Sequence, residues 1–233
     1  MHITQLTVKD FRNYTEATLC PCEGINVLYG DNAQGKTALL EAVVLCCTGR
    51  SHRTSKDREL IRWGQPFGRV ELQAMRADGT HEIEIILPQA ERKTVKVGGS
   101  VLTRSGELMG HVNGVLFAPE DLRMVKDGPA ERRRFIDMEI SQTSPAYYYA
   151  LQRYNRALNQ RNRLLKDALA TPSLLDMLGS WDEQLCSAGA FIMDRRRAFI
   201  ERLSRFAGEN HREITGGRER LECIINIISM LAW

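Results

Sequence analysis

A chain of 233 residues with 43% hydrophobic residues can bury a substantial core, while 26% charged residues with a net charge of +3 give no overall bias toward nucleic acid or membrane. No run approaches the roughly 18 apolar residues of a membrane helix, and Met1-His2-Ile3-Thr4 lacks the layout of a signal peptide, which predicts a globular, cytoplasmic protein. The six cysteines, at 20, 22, 46, 47, 186 and 223, match no zinc spacing and are expected to be buried and reduced; His2, His81, His111 and His211 read as isolated.

In chain order, Ile25-Asn26-Val27-Leu28-Tyr29 is short, apolar and bounded by Gly24 and Gly30, which predicts a buried strand. A glycine loop follows, then a buried helix over 38–47 with Leu39, Leu40, Val43, Val44 and Cys47 at helical spacing. From Val70 to Leu102 the period becomes two: Val70, Leu72 and Ala74, then Ile83, Ile85 and Leu87, then Val95 and Val97, with turns at Asp78-Gly79 and Gly98-Gly99. This predicts antiparallel sheet. Val112 to Phe117 predicts a further apolar strand, Ala118-Pro119-Glu120-Asp121 a helix start, and Pro129 another.

Tyr147, Leu151, Tyr154, Leu158, Arg161, Leu165 and Ala168 alternate spacings of four and three, a heptad seam with one charged member. A break near Thr171-Pro172-Ser173 precedes Leu174, Leu178, Trp181, Leu185, Ala188 and Ile192 in the same rhythm. Two long helices joined by a short turn predict a helical hairpin, either a projecting arm or a layer of the core.

The chemistry lies in Gly30-Asp31-Asn32-Ala33-Gln34-Gly35-Lys36-Thr37, which satisfies G-x-x-x-x-G-K-[ST]. Glycines let backbone N–H groups turn toward phosphate oxygens, and the N-terminus of the following helix favours negative charge. Lys36 is expected to reach the β and γ phosphates and the Thr37 hydroxyl to ligate Mg2+. The bland alternative is a glycine turn carrying an exposed lysine. Arg50, His52, Arg53 and Lys56, with Arg58 and Arg62 beyond, form a basic cluster that either meets phosphates or is a solvated loop part-neutralised by Asp57 and Glu59. Arg132-Arg133-Arg134 can pair with Glu131, Asp137 or Glu139, and Arg195-Arg196-Arg197 reads as a solvated face.

Several blocks in order carry a family resemblance: Leu6 to Tyr14 (LTVKDFRNY), the loop GDNAQGKT, Thr48 to Thr54 (TGRSHRT), Val115 to Leu122 (VLFAPEDL), Gly128 to Asp137 (GPAERRRFID), Arg153 to Arg156 and Gln160 to Asn162. Over residues 1 to about 222 the chain resembles the RecF family of bacterial DNA replication and repair proteins. The resemblance implies an α/β P-loop NTPase of the ABC/SMC type with an antiparallel β lobe and an inserted helical hairpin lobe. It implies ATP with Mg2+ as cofactor, an ATP-dependent homodimer, single-stranded and gapped duplex DNA as ligand, and RecO and RecR as partners in bringing RecA to gaps, with no membrane role. It makes Arg50, His52, Arg53 and Lys56 the DNA candidates, and the Glu120-Asp121 segment a sensor beside the nucleotide.

The expected organisation is a P-loop lobe with its sheet over 1–140, a helical hairpin lobe over 141–210, and an incomplete return to the ATPase lobe over 211–233. The family's Walker B acids and its Ser-Gly-Gly-Gln-like signature find no counterpart in the sequence, and Cys223 to Trp233 departs from the family pattern, as a truncated or frame-shifted gene would. The chain is therefore expected to bind ATP without hydrolysing it. The alternative is a small-molecule P-loop kinase with the hairpin as its lid, which the antiparallel stretch after Val70 does not suit.

Overall fold

The computed structural model describes residues 1–224, the side chains of Glu120 and Arg123 excepted. They form two compact units, one of Met1–Phe117 and one beginning at Ala118.

The first unit is built on a six-stranded, wholly antiparallel sheet. Its strands are β1 (His2–Phe11), β2 (Tyr14–Leu19), β3 (Phe67–Arg76), β4 (Gly79–Pro88), β5 (Thr94–Val97) and β6 (Ser100–Val101), in the order β2-β1-β3-β4-β5-β6. The period-two pattern holds residue by residue: Val70 faces Ile85 and Leu72 faces Ile83, all four buried, because alternate side chains share one face of a pleated strand. The two N-terminal strands extend the prediction, with Leu6 and Val8 supplying the same alternation. The buried face is covered by α1 (Lys36–Thr48), whose Ala38, Ala42, Leu45 and Cys46 join Leu6, Val8, Val70 and Leu72 in one core.

Two predicted strands are absent. Ile25–Tyr29 forms no strand ladder among the described residues and leaves Ile25 90% and Tyr29 92% exposed; Val112–Phe117 is likewise irregular, with Phe117 83% exposed. A strand is defined by a hydrogen-bonded neighbour, and every strand described here already belongs to the antiparallel sheet. Of the apolar positions of α1 read from the sequence, Cys47 is buried, Leu39, Val43 and Val44 are half-buried and Leu40 is exposed, whereas Glu41 is wholly buried. The cysteine expectation holds for Cys46 and Cys47, whose thiols burial pushes up, to about 12 for Cys47. Cys20, Cys22 and Cys186 are exposed, because they lie on the rim of the sheet or on the outer face of a helix.

The second unit is helical: α2 (Arg123–Lys126), α3 (Pro129–Thr143), α4 (Pro145–Asp167) and α5 (Leu178–Thr215). Pro129 and Pro145 each occupy the first turn of a helix, where the missing N–H costs nothing, and the Ser144 hydroxyl caps α4 by accepting from Tyr147 N. Tyr147 meets Arg196 and Arg161 meets Asp182, so α4 and α5 run antiparallel as a hairpin. The predicted seam residues are all buried or half-buried, Tyr147 and Ala168 among the buried ones, but Leu151, Leu158 and Leu165 are each less buried than the residue before them, Ala150, Ala157 and Leu164. Small residues there let the helices approach closely.

Arg196 corrects the solvated-face reading of Arg195-Arg196-Arg197. It stands at a seam position of α5, four residues past Ile192, and is 2% exposed. Its guanidinium donates to both Asp137 oxygens, at 2.8 and 2.9 Å from Nη2, and to the Tyr147 hydroxyl at 3.1 Å, while Tyr147 donates to Asp137 at 2.5 Å. A buried charge persists only when paired and hydrogen-bonded in this way. Desolvation first, then Asp137, pushes the Tyr147 phenol well above its ordinary range. Residues 225–233, most of the stretch that departs from the family pattern, lie outside the described residues.

Candidate nucleotide site

The loop Gly30 to Thr37 leads into α1 as the sequence predicts, and its backbone explains its composition. Gly30, Ala33 and Gly35 adopt φ of 141°, 65° and 99°. At Gly35 a Cβ would lie 2.7 Å from the Asn13 amide oxygen and 2.7 Å from the Tyr14 ring, so only glycine fits between the β1–β2 hairpin and the helix start. Tyr14 adds a hydrogen bond from its hydroxyl to the Gln34 carbonyl, at 3.4 Å. Gly35 stands at the N-cap without a side-chain cap, leaving first-turn N–H groups to another acceptor. Lys36 folds back over the loop, its Nζ donating to the carbonyls of Gly30 and Asp31 at 2.6 Å each, and Thr37 is exposed.

The loop borders a cavity of about 1150 Å³. Its other walls come from the antiparallel half of the unit: Arg12 and Asn13 from the β1–β2 hairpin, Arg53, Arg58 and Glu59 from the segment after α1, and Trp63 and Gln89 beyond. Positive charge gathers around a glycine loop, an arrangement suited to a polyphosphate. Trp63, 98% exposed, offers an open aromatic face at the same cavity.

Behind the loop lies a network that periodicity did not reveal. Arg12, at φ 54°, sends its guanidinium to both carboxylate oxygens of Glu41, at 2.8 and 2.7 Å, and to the Glu59 carbonyl at 2.8 Å. Ser51 donates a short hydrogen bond to Glu41, and Arg53 lies 3.7 Å from it. Burial pushes the Glu41 carboxyl up, but Arg12, Ser51 and Arg53 together outweigh it and hold the group below its ordinary range. The one signal in the sequence was an acid at the centre of an otherwise apolar helix.

The basic cluster is divided by the fold. Arg53 lines the cavity; Lys56 pairs with Glu59 at 3.6 Å; Arg50 is exposed and His52 half-buried. Asp121 lies in a short 3-10 helix (Pro119–Leu122) of the second unit, where it accepts from Ala118 N at 2.6 Å; the Glu120 side chain lies outside the described residues. Arg132 donates to the carbonyls of Met124 and Asp127, and Arg134 stands 4.0 Å from Glu131. The histidines are not all isolated, because the β3–β4 turn brings His81 within 3.2 Å of His111, Nδ1 to Nδ1. No group of three or more metal-ligating side chains occurs among the described residues, and no described helix is long and apolar enough to cross a membrane.

Comparison with known proteins places this geometry. The AAA domain family matches residues 5–168. The DNA replication and repair protein RecF of Lachnospira eligens is 42% identical over 95% of this chain and 62% of its own length. RecF of Acetivibrio thermocellus is 43% identical over 95% of this chain and 60% of its own. The chain thus spans about three-fifths of the relatives it matches. The solved structure of the recombination mediator protein RecF-ATP in the RecFOR pathway superposes with a TM-score of 0.88 at 36% identity, covering 92% of this chain and 58% of that one. The Smc head domain from Pyrococcus furiosus matches at a TM-score of 0.53 and 18% identity, covering 89% of this chain and 64% of that one, a likeness of fold alone. The fold is that of an ABC/SMC-type P-loop ATPase.

Proposed function

This chain belongs to the AAA-domain family and, within it, to the RecF proteins, and on that premise we infer that it binds ATP with Mg2+ at Gly30 to Thr37 as part of an ATP-dependent DNA-binding function in replication and recombinational repair. The observation that carries the reading is the loop itself: left-handed backbone at Gly30, Ala33 and Gly35, a lysine and a hydroxyl at the helix start, and a large cavity ringed by Arg12, Arg53 and Arg58. The residues fit a nucleoside triphosphate. Loop N–H groups and Lys36 would hold the phosphates, Thr37 would ligate the magnesium ion, and the arginines would add charge. Held there by the Thr37 hydroxyl, Mg2+ would offset the negative charge of the phosphates.

The finer reading follows the family: dimerisation around ATP, single-stranded and gapped duplex DNA as ligand, and action with RecO and RecR to bring RecA to gaps. Arg50, His52, Arg53 and Lys56 remain the candidates for DNA in the first unit. Asp121 and Glu120 remain candidates for sensing nucleotide. The lobe boundaries near 140 and 210 belong to the same proposal.

The test is equilibrium binding of labelled ATP with Mg2+. Lys36→Ala removes a charge-assisted contact and is expected to weaken binding roughly tenfold to a hundredfold or more, with the melting curve unchanged. ATP binding as tight as the parent's would remove the site assignment.

A further inference from the structure

We propose that the outward face of α4 is a second DNA-contacting surface, one that grips the phosphate backbone of duplex DNA without reading sequence. The proposal rests on the DNA-binding function inferred above and adds a surface in the other unit.

The observation is an asymmetry of charge. From Pro145 to Lys166, α4 carries five cations, Arg153, Arg156, Arg161, Arg163 and Lys166, and no acid before Asp167. Arg161 turns inward to Asp182, at 2.5 Å, and Arg163 is held only loosely by exposed Asp167, at 3.8 Å. Arg153, Arg156 and Lys166 are exposed and have no ion pair among the described residues.

Helical geometry makes one surface of them. The packed face of α4 runs from the row Ala150, Ala157 and Leu164 round to Leu151, Leu158 and Leu165, so Arg156, Arg163 and Lys166 fall on the side away from it, together with the amides of Gln152 and Asn159. Arg153 and Gln160 flank the row. At 1.5 Å per residue the stretch 152–166 is about 21 Å long, the rise of about six base pairs at 3.4 Å each.

A solvated helix face ordinarily mixes signs, and α5 in the same hairpin does so: its exposed arginines alternate with exposed Glu183, Asp194, Glu201, Glu209 and Glu213. From Gln152 to Lys166 the outward face of α4 offers only cations and amides, with Asp167 the single acid at its end. Arginine and amide side chains are the usual partners of phosphate and sugar oxygens. A membrane surface does not suit the face, because the apolar side of α4 is spent on α5 and none remains to insert into lipid.

The experiment uses the 233-residue chain with MgATP and a fluorescently labelled 30-base-pair duplex, titrated across a potassium chloride series. Arg153→Gln, Arg156→Gln and Arg163→Gln combined are expected to lower the slope of log K against log salt by about two to three, at about 0.9 per lost phosphate contact. The matching Arg→Lys triple variant should keep the parent slope. A control triple on α5, Arg197→Gln, Arg202→Gln and Arg205→Gln, makes the same change in net charge and should move the slope by less than one. Circular dichroism melts should coincide, since all six positions are exposed. A parent that binds no DNA would overturn the inferred function and this surface together. A parent that binds while the α4 variant keeps its slope would overturn the surface alone. An equal fall with the α5 control, or an equal loss of binding to polyglutamate, would reduce the effect to bulk charge and overturn it too.

Discussion

At the residue scale, Glu41 shows how a single side chain joins the nucleotide loop to the sheet. Seated in α1 five residues beyond Lys36, it holds Arg12 of the β1–β2 turn, Ser51 and Arg53. Glu41→Gln would leave Arg12 facing a neutral partner, and breaking a buried pair on one side is expected to destabilise by about 3 kcal/mol, the low end because Arg12 keeps some access to water. The folded-state carboxyl sits below its ordinary value of 4.5, so folding favours the ionised form. Its contribution is present in full above about pH 4.5 and is lost as pH falls through the depressed value. Urea unfolding of parent and variant at pH 7 and at successive steps below pH 4.5 should therefore show a gap that narrows in acid; a constant gap would contradict the assignment. Gly35→Ala should disturb the same region, since its Cβ would strike Asn13 and Tyr14 and the φ of 99° disfavours any side chain.

At the element scale, the helical hairpin owes its register to a polar lock as well as to its apolar seam. Leucines and tyrosines at seven-residue spacing were legible because a helix repeats its faces at that interval. Arg196 was not, because a triple arginine gives no sign of which member points inward; that follows only once Ile192 and Ile200 set the rotation of α5. Arg196→Met is expected to cost about 3–5 kcal/mol by leaving Asp137 charged and unpaired beside a buried tyrosine. Adding Asp137→Leu should recover part of that loss, because removing both charges spares the desolvation that one stranded charge incurs. Thermal melts of the two variants check this, and a double variant no more stable than the single one would show that the lock is not electrostatic.

At the scale of the whole molecule, the chain is expected to hold ATP without turning it over. The carboxylate that lines the described cavity is Glu59, which accepts from the Thr54 hydroxyl at 2.5 Å and pairs with Lys56, so it is engaged rather than poised to activate water. Phosphate release by the purified chain with MgATP should match the Lys36→Ala background, and steady turnover lost on that substitution would name a catalytic acid still to be found. By itself the sequence determined the P-loop and its helix, the alternating strands from Val70 onward, the proline-opened helices and the hairpin, since each is written in local spacing or in one residue's backbone preference. What only the tertiary structure decided is whether apolar runs gain neighbours and charges gain partners. Ile25–Tyr29 and Val112–Phe117 carry strand composition yet form no strand among the described residues, whereas Glu41 and Arg196 look like surface charges and lie in the interior. Pairing and burial depend on residues far away in sequence, Arg12 for Glu41 and Asp137 for Arg196, and no local pattern encodes that distance.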